Sequence, residues 1–246
     1  MSVSVIIPFW NGGQWIERAV VSVVNQTAPP DEFFVVNDGS APEERAYLAV
    51  LAEQHGFVIL DKENGGQGSA RNHGVLHSSS QYICFLDQDD FFLPDHLERL
   101  CDLVVGRGEN FGFGYGSYDL ADAHGVVHVK NDLVRNQRRL HPPSRDLIEL
   151  VGRNLSILPS ASIISKRAFM AVEGFDVQFR GYEDDDLCLR LFRSGKPDGL
   201  GVGLALSHAA IEQLGNGWLH QWTVKSATDP QHNTTRPSGF ERYLDL

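Results

Sequence analysis

Cysteine, basic residues and long apolar runs are all scarce in this 246-residue chain. Its three cysteines, Cys84, Cys101 and Cys188, are odd in number and widely spaced, with no Cys-x-x-Cys pair. That pattern argues against a disulfide scaffold and for a reduced, cytoplasmic setting. Lys and Arg total 21 against 32 Asp and Glu, a net charge of −11. The balance argues against a nucleic-acid partner, whose phosphates demand clustered Lys and Arg. No polybasic patch is present for direct attachment to an anionic membrane surface. No apolar stretch approaches the roughly 18–20 residues of a membrane-spanning helix. The chain enters a strand-like run at once, so no signal peptide is expected. The Asn-x-Ser/Thr sequons at Asn25, Asn154 and Asn233 then read as chance matches.

The composition, 42% hydrophobic and 22% charged, is that of a globular chain able to bury a sizeable core. Its first half alternates strand and helix patterns. Apolar runs at Val3–Pro8, Phe33–Val36, Val58–Leu60 and Tyr82–Leu86 predict strands. Helices are predicted from Ile16 to Val24, over Glu43–Gln54 after Pro42, over Ser69–His77 and near Pro94–Val105. Such alternation implies a mostly parallel sheet with helices on both faces.

The second half is less regular. Strands are predicted at Phe111–Leu120, Gly125–Val129, Ser160–Ile164 and Gly199–Leu206. Helices are predicted at Arg145–Val151, Lys166–Val172 and Asp184–Phe192, the last with Asp186 placed to pair with Arg190. No internal repeat or low-complexity linker interrupts the chain. One domain over 1–246 is the simplest model, with halves at 1–120 and 121–210 and a tail at 211–246.

Four constellations carry possible chemistry. Asp87-Gln88-Asp89-Asp90 follows an apolar strand directly, where parallel sheets collect ligands. Its oxygen ligands suit Mg2+ or Mn2+ carrying a substrate diphosphate; the alternative is an acidic turn capping the next helix. Asp38 also ends a strand, as a hydrogen-bond acceptor for a base or ribose or as an Asp-Gly turn. The run from Asn64 to Asn72 joins a glycine-rich loop to a helix start, with Arg71 suited to phosphate or a base carbonyl. It is neither a dinucleotide fingerprint nor a P-loop. Glu183-Asp184-Asp185-Asp186 opens a strong helix, and four acids exceed what N-terminal capping needs. One of them is expected to act as a general base. His73 and His77 read as surface or packing residues. His208, after the last predicted strand, is either structural or a further metal ligand.

In this order the motifs resemble the family 2 glycosyltransferases of the GT-A fold. The matching segments are Val3–Asn11, Val36–Ser40, Gly66–Asn72, Leu86–Asp90 and Glu183–Leu191. The resemblance implies an α/β, Rossmann-like central sheet flanked by helices, with a less regular acceptor-side half. It implies inverting transfer from a nucleotide-sugar donor, by default a UDP-sugar, to a glycan or lipid-linked acceptor, as in bacterial surface glycan synthesis. By position, Pro8, Trp10, Asn11, Asp38, Gly66 and Arg71 would line the nucleoside pocket, with Gln88 beside them. Asp87 would reach the ribose, Asp89 would bind the Mn2+ or Mg2+ that bridges the phosphates, and Asp184 would be the base. His208 is carried as a second metal ligand.

Trp10 departs from the tyrosine frequent at its position. His220-Gln221-Trp222 lacks the Gln-x-x-Arg-Trp pattern of processive members, which points to single addition. Membrane contact would then be peripheral and through partners, and two further arrangements stay open, one domain of a longer chain or an oligomer. Two other functions compete. A sugar-phosphate nucleotidyltransferase would carry a basic residue in the loop after the first strand, where Trp10–Gln14 has none. A non-catalytic binding module would keep the pocket and lose turnover.

Overall fold

Successive residues of the first strand, β1 (Val3–Phe9), sort to two different cores, and that alternation sets the architecture. Val5 and Ile7 pack with α1 (Gly13–Val24), α2 (Pro42–His55) and α4 (His96–Val105) on one face. Ile6 packs with α3 (Gln67–His77), α5 (Lys166–Ala171) and α6 (Glu183–Ser194) on the other. A strand buried on both faces needs an unbroken apolar run, as Val3–Phe9 very nearly is. The computed structural model describes residues 1–105, 111–129, 157–194 and the backbone of 201–212. Met1–Glu212 form one compact unit. The helix expected at Arg145–Val151 and the tail from residue 213 lie outside the described residues.

The remaining strands are β2 (Glu32–Asp38), β3 (Val58–Lys62), β4 (Tyr82–Phe85), β5 (Phe91–Phe92), β6 (Phe111–Ala121), β7 (Val127–Val129), β8 (Ser162–Ser165) and β9 (Gly201–Glu212). Among the described residues they form one sheet in the order β3-β2-β1-β4-β8-β6-β9-β5, with β7 beside β6. Pairs β3–β2, β2–β1, β1–β4 and β6–β9 are parallel; β8 runs antiparallel to both β4 and β6. The chain beyond residue 110, expected to be less regular, thus supplies β6, β8 and β9 to the same sheet. β5 went unforeseen because a two-residue strand has no periodicity to detect. It exists because β9 pairs with it, Phe91 opposite Ala210 and Phe92 opposite Ala209. β9 also runs past the predicted end at Leu206, so His208 lies within the strand, opposite Ser117 of β6, and not after it.

The helices sit where local chemistry and packing agree. α1 buries Ile16, Ala19, Val20 and Val23, and its first-turn amide at Gly13 is capped by Glu44 Oε2 of α2 at 2.8 Å. α2 starts with Pro42 and ends at Gly56 with φ +76°, the left-handed stop that glycine permits. α3 lies close on the sheet because Gly74 has no side chain. A Cβ there would sit 2.5 Å from Ile6 Cγ2.

β1 leads through α1 to β2 on one side, while β4 lies on its other side. The carboxyl ends of β1 and β4 therefore flank a switch point, where open α/β sheets place their ligands.

Candidate active site

The acidic segment after β4 is a closed turn in which each residue has a different task. The Asp90 amide donates to the Asp87 carbonyl at 3.1 Å. The Asp87 amide donates to Ser160 Oγ at 3.1 Å, and that hydroxyl donates to the buried Asp90 carboxylate at 2.5 Å. Gln88 Oε1 accepts from the Trp10 amide at 2.9 Å, and its side chain fills the space over Gly12. The Asp89 carbonyl accepts from Arg18 at 3.3 Å, while its side chain stays half-buried. The turn does not cap the next helix. α4 begins at His96, after β5 has intervened, and dipole stabilisation fades within one helical turn.

Arg71 joins this turn to the start of α6. Its side chain is 1% exposed, with Nη2 2.5 Å from Asp87 Oδ1 and Nη1 3.3 Å from Glu183 Oε1. The guanidinium lies 5.2 Å from the Phe175 ring centroid. Burial alone would lower its pKa, but the Asp87 and Glu183 carboxylates outweigh that and hold it above the ordinary arginine value. Glu183 also accepts from Gln67 of α3 and from the Gly181 amide. Expected to face a ligand, Arg71 instead has both terminal nitrogens on protein carboxylates. Glu183, one of four consecutive acids in the sequence, is the second half of this buried network. Nothing in its own segment marks that role, because its partner lies 112 residues away.

Asp38 ends β2 with a carboxylate that gathers the glycine-rich loop. It is 2% exposed and accepts from Gly65 N at 3.0 Å, Gly66 N at 2.8 Å and Lys62 Nζ at 2.5 Å. Gly66 has φ +86°, and a Cβ on Gly39 (φ +71°) would lie 2.8 Å from Asn64 N, so glycine is required at both. Asn11, at φ +47°, accepts from the Ala41 amide at 2.8 Å and its own amide donates to Ser40 Oγ at 3.1 Å. These bonds fasten the loop after β1 to the loop after β2. Pro8 is buried within β1 opposite Val36, while Trp10 stands 43% exposed at the strand's end. Pro8, Trp10, Asn11, Asp38, Gly66, Arg71, Asp87 and Gln88 are thus gathered along the carboxyl ends of β1, β2 and β4 and the start of α3.

The four acids opening α6 also separate. Glu183 is tied to Arg71, and Asp186, 6% exposed, pairs with Arg190 at 2.5 Å, the expected i,i+4 bridge. Asp184 instead borders a small cavity walled by Phe85, Phe113, Phe175, Leu187 and Cys188. Burial, and then the charges of Asp185 and Glu183, push its pKa up to about 7. A carboxyl group poised near neutrality is suited to accept a proton.

Among the described residues no three His, Cys, Asp or Glu side chains converge as a metal cage. Asp87 and Asp89 offer oxygen donors at the sheet edge, 29% exposed in one case and half-buried in the other. That donor set fits Mn2+ or Mg2+, which complete their shells with substrate phosphates and water. The side chain of His208 is not among those described. Its backbone lies one residue from the pairing of Ala209 with Phe92, close along the sheet to this turn.

The fold and site together define an α/β protein with two acidic centres, one after β4 and one at the start of α6. The family model for glycosyl transferase family 2 matches residues 4–141, and the chain belongs to that family. An uncharacterized glycosyltransferase of Rickettsia bellii is 30% identical over 193 residues, 78% of this chain and 27% of the relative. The UDP-Glc:alpha-D-GlcNAc-diphosphoundecaprenol beta-1,3-glucosyltransferase WfgD of Escherichia coli is 27% identical over 125 residues, 51% of this chain and 49% of that protein. The chain spans about a third or less of the length of the first three curated relatives, all from Rickettsia.

Among solved structures, the mannosyltransferase PcManGT of Pyrobaculum calidifontis, in complex with GDP-Man and Mn2+, matches with a TM-score of 0.64. That match covers 98% of this chain and 67% of the other at 16% identity. S. aureus TarS 1-349 in complex with UDP matches at 0.59, covering 87% and 58%, also at 16% identity. The fold is GT-A, and the family is glycosyl transferase family 2.

Proposed function

We propose that the chain is a single GT-A domain carrying out metal-assisted, inverting transfer from a nucleotide-sugar donor, a UDP-sugar by preference, to an acceptor hydroxyl. The observation that carries this reading is the contrast among the α6 acids. Glu183 and Asp186 are neutralised by arginines, whereas Asp184 stands against apolar walls with a pKa of about 7. One carboxylate able to take the hydroxyl proton is what direct displacement at an anomeric carbon requires.

On the donor side, Trp10 offers an exposed ring for the base, and Gln88 fixes the loop that presents it. Asn11 locks that loop to the one after β2, and Asp38 and Gly66 order the glycine loop beneath the nucleoside. Pro8 shapes the buried floor. Arg71 holds Asp87 toward the ribose and Glu183 at the head of α6, so a single cation sets the spacing of the two half-sites. Asp89, with His208 as a further ligand, would hold Mn2+ or Mg2+. The bound cation supplies compensation for the charge on the departing diphosphate.

The relative WfgD supports an acceptor of the lipid-linked glycan class and a place in bacterial surface glycan synthesis. No helix of the described residues is long and apolar enough to cross a membrane. We propose a cytoplasmic enzyme that reaches its acceptor peripherally.

The test is Asp184→Asn. Nucleotide-sugar binding, read by calorimetry with Mn2+, is expected to persist while transfer falls by roughly 10²- to 10⁴-fold. Transfer at a rate comparable to wild type would overturn the assignment of the base. Loss of donor binding as well would place Asp184 in the donor site instead.

A further inference from the structure

We infer that Tyr182 is an acceptor-binding residue whose ring stacks against the sugar ring that presents its hydroxyl to Asp184. The inference rests on the role proposed for Asp184. Tyr182 is 66% exposed, yet its backbone is held at φ +65°. Bulky residues avoid that region, and where they occupy it the surroundings must impose it, most often at functional positions.

Here the surroundings do impose it. The preceding Gly181 (φ +96°) donates its amide to Glu183 Oε2 at 3.1 Å, and the Tyr182 carbonyl accepts from the Asp186 amide at 3.0 Å. Glu183 is in turn clamped by Arg71 and Gln67. Further back, Phe175 is tied to α3, donating to Asn72 Oδ1 at 2.9 Å and accepting from its amide group at 2.8 Å. The peptide is therefore fixed on both sides of Tyr182.

Glycine would meet the backbone requirement without strain, and Gly174 and Gly181 already do so in this loop. A tyrosine there is not explained by packing, because the ring is mostly in solvent. It stands two residues before Asp184, immediately ahead of the helix that carries that carboxylate. A pyranose presents a face of C–H groups and a rim of hydroxyls. A fixed, amphipathic aromatic ring complements the face and leaves the rim for the carboxylate.

The experiment uses the full chain with whichever of UDP-glucose, UDP-N-acetylglucosamine or GDP-mannose raises its Tm most. The acceptors are a panel of p-nitrophenyl pyranosides in the gluco, galacto, manno and N-acetylglucosamine series. Tyr182→Ala is expected to raise acceptor KM roughly five- to ten-fold, with kcat and donor KM nearly unchanged. Tyr182→Phe should restore acceptor KM. Tyr182→Gly should match the alanine variant in KM while melting no lower than wild type, since it removes the strained conformation.

An unchanged acceptor KM in Tyr182→Ala overturns the inference. So does a wild type that hydrolyses its donor but glycosylates none of the pyranosides. Asp184→Asn, run alongside, separates the two ideas: undiminished transfer there refutes the underlying base assignment, whatever Tyr182 does.

Discussion

Replacing Asp184 by Asn should make the protein more stable at pH 8 while disabling it, and the gain should shrink as pH falls. Burial and the neighbouring Asp185 and Glu183 charges raise the Asp184 pKa from 3.8 to about 7. The folded state therefore binds a proton more tightly than the unfolded chain, and stability is lost as pH rises from 3.8 to about 7. Roughly three pKa units at about 1.36 kcal/mol each give an upper bound of ~4 kcal/mol. The side chain is only half-buried, so solvent screening reduces this to about 1–3 kcal/mol. For a chain of this size each kcal/mol moves Tm by roughly 2–4 °C.

The assay is thermal melting of both proteins across pH 5–8, with chemical denaturation at the two ends. The Asn variant should melt higher at pH 8, with a difference about one third as large at pH 5. Wild-type transfer should fall about ten-fold per pH unit below 7, as the base becomes protonated. An Asn variant that melts lower at pH 8, or by the same margin at every pH, would refute the claim that this carboxylate is held near neutrality by burial.

Three other outcomes test the surrounding structure. Arg71→Lys loses the two-pronged contact between Asp87 and Glu183 and should destabilise by about 3–5 kcal/mol in urea unfolding. A loss under ~1 kcal/mol would mean the network is not buried as described. Asp89→Ala should erase the difference that Mn2+ makes to nucleotide-diphosphate affinity in calorimetry; a Mn2+ effect that survives would remove Asp89 from the metal site. Glu32→Gln removes the charge that accepts hydrogen bonds from Ser4, Ser78, Ser79 and Ser80. Burial opposes ionisation of Glu32, but those hydroxyls together hold its pKa far below 4.5. Its stabilisation is then present above pH 4.5 and fades as pH falls. The variant should lose about 1–2 kcal/mol at pH 7 and progressively less in acid melts.

Much of this protein was legible without coordinates because the information is local. Apolar runs and helical spacing marked the strands and helices of the first half, β5 excepted, with ends within three residues. The Asp186–Arg190 bridge followed from helix geometry alone. The order of Val3–Asn11, Val36–Ser40, Gly66–Asn72, Leu86–Asp90 and Glu183–Leu191 pointed to the family that the model match then showed. What local pattern does not encode is which residue meets which across the fold. β5 exists only through β9, and β8 is inserted antiparallel between β4 and β6 by tertiary pairing.

The acidic clusters depend on the same long-range geometry. In sequence, Glu183, Asp184, Asp185 and Asp186 are four nearly equivalent carboxylates. In the fold, one meets Arg71, one meets Arg190 and one borders a cavity lined by phenylalanines and a cysteine. Which acid stays charged and which is held near neutrality is a matter of burial and neighbouring charge. Those depend in part on residues distant in sequence, Arg71, Phe85 and Phe113 among them, so the motif located the chemistry and tertiary structure divided it among the acids.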